Sequence, residues 1–138
     1  MTAMTSTPAA RRILGMTPLR LAYEFDGIAT MVSGVAITAL AGVLDSPLGL
    51  DTWVLLATGI FFMVYAAGVL VVATRREIPR RAAAVIAGLN AFWTVDSLVT
   101  LAAGWLEPTT LGAVGIILIA GFTAVMSAAQ FVLLRAAR

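Results

Sequence analysis

Charged positions become rare after Arg20, and the stretches between them become long. The intervals without any charge hold 18 residues from Gly27 to Leu44, 23 from Thr52 to Thr74 and 27 from Pro108 to Leu134, while the 25 residues from Ala82 to Leu106 carry only Asp96. A helix needs about 20 apolar residues to cross a bilayer. The pattern therefore predicts four transmembrane helices over about 21–44, 52–74, 82–106 and 109–134. Short connections force neighbouring helices to run antiparallel, so the expected fold is an all-α membrane protein, an up-down-up-down four-helix bundle. Helices also satisfy their own backbone groups, as hydrocarbon requires. Residues 1–20 contain no apolar core of signal-peptide length before Pro18 and are expected to form a retained cytoplasmic tail. Residues 135–138 form the other terminus.

The charges sort onto two sides of this arrangement. All nine basic residues are arginines: Arg11, Arg12, Arg20, Arg75, Arg76, Arg80, Arg81, Arg135 and Arg138, all at the termini or in the second loop. The first and third loops hold only Asp45, Asp51 and Glu107. Basic residues near span ends stay in the cytoplasm, so both termini are expected inside, with the protein in a bacterial cytoplasmic (inner) membrane. Arg75, Arg76, Arg80 and Arg81 are the expected contacts to anionic lipid or an acidic partner segment. Trp53 and Trp105 are expected to mark the outer interface and Tyr23 the inner one.

Small residues at every fourth position let helices approach closely in lipid. Thr30, Gly34, Thr38 and Gly42 form such a stripe on the first span and Ala120, Ala124 and Ala128 one on the fourth, with a shorter one at Ala84 and Gly88. These are read either as seams of the monomer or as faces toward a partner chain. Sliding the first half over the second by 62 positions pairs Thr38 with Thr100, Gly42 with Gly104, Gly59 with Gly121 and Ala66 with Ala128. That suggests two duplicated hairpins of the parallel repeat type, with Asp96 falling opposite Gly34.

Composition changes this picture mainly by exclusion. With 61% hydrophobic and 12% charged residues there is no room for a separate soluble domain. Cys, His and Lys are absent, which removes thiol chemistry, the usual haem and metal ligands, the commonest general base and Schiff-base cofactors. No cofactor or metal is expected, and no catalytic constellation is present. The arginines sit at span ends rather than on one folded face, so nucleic acid is not an expected partner despite a pI near 9.9.

Asp96, midway along the third span, is the main polar candidate. A carboxylate near the bilayer centre costs about 2.5–3.5 kcal/mol on insertion scales, so it is expected to be shielded, either as interhelical glue or as a proton or cation site, near Trp93 and Thr100 and level with Gly34, Thr38 and Thr58. A second polar group, Thr30, Tyr65, Asn90 and Ser127, comes to one level in the cytoplasmic half. Glu24, Asp26 and Gln130 are expected closer to the surface. This group is read either as a pocket for an amphipathic ligand or as bundle hydrogen bonding, with Glu24 and Asp26 starting a helix and pairing with Arg20 or the second-loop arginines.

The segments ALAGVLD (39–45), YAAGVLVVATRREIPR (65–80) and NAFWTVDSLVTLAAGWLEPTTLG (90–112), with Asn90, Trp93 and Gln130 as markers, resemble small bacterial integral membrane proteins with four spans. The resemblance implies fold and location but no activity. The expected function is non-catalytic: helix association, as a homo-oligomer or as an accessory subunit of a larger membrane complex surrounded by lipid. The alternative is a small proton-linked transporter or lipophilic-ligand-binding membrane protein that uses Asp96.

Overall fold

The computed structural model describes residues 17–137 as four helices in chain order, α1 (Pro18–Leu48), α2 (Thr52–Ala73), α3 (Arg80–Ala103) and α4 (Thr110–Ala136). The first sixteen residues of the expected tail, Arg11 and Arg12 among them, and Arg138 lie outside the described residues. All four helices are long and apolar enough to cross a membrane, and the chain is an all-α four-helix membrane protein.

Caps, rather than the first charged residue, set the helix ends. Thr17 accepts a hydrogen bond from the Arg20 N–H at 3.2 Å, with Pro18 in the first turn, a favourable start. Thus α1 begins three residues before the expected Leu21. It also continues past Asp45 and Pro47 until Gly49 adopts the left-handed conformation at φ +66°, where glycine has no Cβ penalty. Its 31 residues give a length of roughly 46 Å at 1.5 Å per residue. In α3, Arg80 and Arg81 are already helical, and the helix stops at Gly104, φ +72°, leaving Trp105 and Leu106 in the loop. Thr109 caps α4 by accepting from the Gly112 N–H, and Arg135 lies within its last turn.

Helix α1 packs along α2 and α3 along α4; the two hairpins meet through α1 and α4, while α2 and α3 barely approach. Aromatic side chains fill that gap. Phe61 stacks on Trp93 at 5.2 Å between ring centroids, and Phe62 meets the same indole edge-on at 5.1 Å.

Both ends of the bundle are tied. At the acidic end, the Thr109 N–H donates to the Leu48 carbonyl at 3.0 Å and its hydroxyl to the Pro47 carbonyl at 2.7 Å. At the arginine end, Arg20 donates to the carbonyls of Arg75 and Arg76, and Arg80 to that of Leu134 at 3.0 Å. An apolar plug of Tyr23, Val69, Ala73, Ala83, Ile86 and Leu134 sits just inside. Tyr23, expected at the interface, is instead wholly buried and donates to the Ala83 carbonyl at 2.8 Å.

Candidate functional site

One helical turn beyond the plug, each helix contributes a polar side chain to a single layer. Tyr23, Val69, Ile86 and Leu134 are followed, three or four residues away, by Asp26, Tyr65, Asn90 and Gln130. Helical periodicity requires this, because residues three and four apart share a face. Asp26 and Gln130 are 0% exposed and Asn90 is 3%.

Asp26 is the hub of this layer. Its Oδ2 accepts from the Tyr65 hydroxyl at 2.8 Å, the Asn90 amide at 3.0 Å and the Gln130 amide at 2.8 Å, and its Oδ1 accepts from Thr30, one turn along α1, at 3.2 Å. Asn90 gives its second amide proton to the Gln130 Oε1 at 2.9 Å. Four donors thus converge on a side chain with about four acceptor positions, and its oxygens are fully satisfied. Interhelical hydrogen bonds in lipid contribute about 0.6–2 kcal/mol each, so the three from other helices offset the insertion cost of about 2.5–3.5 kcal/mol for an Asp in a span.

A cavity of about 240 Å³ stands on this layer, with Thr30, Tyr65 and Asn90 belonging to both. All four helices line it, and its walls include Phe61, Phe62, Trp93 and Phe122. Ser33, Phe61, Leu89 and Leu118 border the cavity and are also exposed, so the space is reached from the flank of the bundle rather than through the plug.

Several expectations change. Asp26 does not lie near the surface or pair with arginine: helix α1 starts eight residues before it, which carries the carboxylate more than two turns into the bundle. Asp96 is exposed and does not line the cavity. The inward face of α3 runs through Ala83, Ala87, Asn90 and Ser97, with Thr94 bonded to α4, and Asp96 lies off that face. Trp93, by contrast, is in the cavity wall, whereas Thr100 is half-buried away from it.

The small-residue stripes divide in the same way. Gly34 and Gly59 meet where α1 crosses α2, and a Cβ on Gly34 would come within 2.8 Å of the Gly59 carbonyl oxygen. Thr38 lies at this crossing, and its buried hydroxyl has no hydrogen-bond partner among the described residues. Thr30 belongs to the Asp26 layer, and Gly42 faces open space. On α4, Ala120 is buried but Ala124 and Ala128 are exposed; the inward face instead follows Thr123, Ser127, Gln130 and Leu134. Gly88 also has nothing near it. The side chains of Arg75, Arg76, Arg80 and Arg81 are exposed, although Arg80 is engaged at Leu134.

A signal for the layer was present in the sequence. Tyr23, Asp26, Thr30 and Gly34 repeat at three or four residues, as do Asn90, Thr94 and Ser97, and Thr123, Ser127 and Gln130. Asp96 lies outside these series. No family model, curated protein or solved structure matches the chain, so the chemistry of the site rests on its own residues.

Proposed function

We infer that this membrane protein is a non-catalytic binder of a small amphipathic ligand, held in the cavity with its polar end toward the Asp26 layer. The observation that carries this reading is the position of the cavity directly above a buried carboxylate bonded by all four helices. Apolar walls with a few converging polar groups are the usual make-up of a ligand site. At about 240 Å³ the cavity lies just below the usual range of roughly 300–1,000 Å³, which suits a headgroup or a single substituted ring whose remainder extends along the bundle. The arginine end faces the cytoplasm of a bacterial inner membrane, following the rule for basic loops, and its exposed arginines contact anionic lipid.

A second reading has its own support. Asp96 and Phe92 are exposed on α3 at mid-span, and Gly42, Gly68, Gly88, Gly115 and Gly121 have no neighbour within 4 Å of an added Cβ. Such faces suit association with a second copy or with a larger membrane complex.

Native mass spectrometry of the particle, drawn from its own membranes in mild detergent, separates the two. Binding predicts a discrete small molecule that remains with the parent protein and is lost in Ala29→Phe, which fills the cavity from α1. A stoichiometric protein partner with no retained small molecule, unchanged by Ala29→Phe, would replace it with the association reading.

A further inference from the structure

The ligand site carries more chemistry than an apolar pocket needs. Asp26 is fully buried, and all four of its hydrogen-bond partners are neutral: Thr30, Tyr65, Asn90 and Gln130. The two arginines whose bonds are on this end of the bundle are engaged elsewhere, Arg20 with the carbonyls of Arg75 and Arg76 and Arg80 with that of Leu134, and the apolar plug lies between them and the layer. Buried charges are ordinarily paired. Here hydrogen bonds satisfy the carboxyl oxygens, but among the described residues no cation lies against them.

The polar groups on the cavity side have the same sign. Thr30 and Tyr65 have given their hydroxyl protons to Asp26, and Asn90 has given both amide protons, one to Asp26 and one to Gln130. Only acceptor lone pairs remain on them, and the side-chain Oδ1 of Asn90, which lines the cavity, takes no hydrogen bond among the described residues. A donor persists only on the Ser33 hydroxyl and the Trp93 indole N–H, one or two turns farther from Asp26. The walls are the rings of Phe61, Phe62, Tyr65, Trp93 and Phe122, whose faces carry the negative end of their quadrupoles. Aromatic rings around an acceptor-rich floor are the environment that draws ammonium-type ligands.

The geometry points to a small lipophilic organic cation, an amine or quaternary ammonium with apolar substituents, as the ligand class of this cavity. The inference rests on the ligand-binding reading above and adds the sign of the ligand's charge. The cation lies among the rings with its positive end toward Asp26 and the side-chain Oδ1 of Asn90, and its apolar part extends past Leu89 and Leu118.

Phenyltrimethylammonium and tert-butylbenzene share a shape and differ in charge, and benzenesulfonate supplies the opposite sign. Each is titrated into the full chain in maltoside micelles, which bring no amine of their own, with Trp53→Phe and Trp105→Phe so that Trp93 reports binding. The cation is expected to bind about tenfold more tightly than its carbon isostere, and the sulfonate not at all. Asp26→Asn should remove the cation's advantage and leave the hydrocarbon's binding in place. Equal binding of cation and isostere, or preference for the isostere or the sulfonate, overturns the charge assignment while leaving the cavity as a ligand site. Saturable binding of none of the three overturns the ligand-binding reading itself. Should Asp26→Asn not yield folded protein, the ranking on the parent chain decides.

Discussion

The two hairpins of this bundle are closed by different means. Between α1 and α2 the contact is backbone against backbone: a Cβ on Gly59 would run into the Thr38 hydroxyl and come within 2.9 Å of the Gly34 carbonyl oxygen. Between α3 and α4 the contact is made by polar side chains. Thr94 and Thr123 share a hydrogen bond of 2.6 Å, Thr94 also donates to the Ala120 carbonyl at 3.1 Å, and Ser127 donates to the Ala87 carbonyl at 2.8 Å. Lipid offers no hydrophobic drive for helix association, so close packing and interhelical hydrogen bonds must supply it. The first hairpin relies on the former and the second on the latter. The consequence for function is direct: the polar hairpin places Asn90 and Gln130 against Asp26, while the glycine hairpin brings Tyr65 to the same carboxylate.

The sharpest way to break this comparison uses positions equivalent under the 62-residue offset. Gly59→Leu pushes a side chain into backbone that cannot yield, and a loss of about 3 kcal/mol is expected, at the upper end for overpacking. Gly121→Leu points into open space and should stay within about 0.5 kcal/mol of the parent. Unfolding in mixed detergent micelles, followed by circular dichroism, measures both. Equal losses at the two sites would mean that the hairpins are closed alike.

A smaller effect probes the junction between the hairpins. Gln130→Leu deprives Asp26 of a donor and leaves one Asn90 amide proton without its acceptor, at a cost of about 2 kcal/mol in the same assay. An unchanged midpoint would show that the layer does not hold the hairpins together. Within the polar hairpin, a double-mutant cycle of Thr94→Val and Thr123→Val should return a coupling of about 0.6 kcal/mol, the typical size for such bonds in a membrane. A coupling near zero would place the closure of α3 on α4 in packing instead.

The four spans were legible because hydropathy sums over some twenty positions and tolerates local error. The orientation of each helix about its axis depends on a few residues and was read less well. Asp96 stands out because it interrupts an apolar run, yet interruption says nothing about which way a side chain points. An apolar run counted from Gly27 sets Asp26 at a helix start, near the surface. The cap at Thr17 and Pro18 starts α1 three residues before the expected Leu21 and places eight helical residues ahead of Asp26, which changes its depth. Polar residues repeating at three and four along a span are a better guide to the inward face than a polar residue standing alone, since only the repeat carries the geometry of the helix.

The same reasoning separates a seam from an outer surface. Gly34 and Gly42 are two turns apart in one small-residue stripe, but Gly34 touches α2 and Gly42 touches nothing; the stripe leaves the seam because its spacing of four gains on the helical repeat of 3.6. Gly42→Leu is therefore expected to leave the stability of the single chain within about 0.5 kcal/mol, as at Gly121. Its value lies in a second reading of the same sample. If the outer face of α1 meets only lipid, the mass of the native particle is the same with Leu at position 42 as with Gly. A particle that loses a chain on this substitution would show that the glycine packing which closes the first hairpin is used again, on the outside, between molecules.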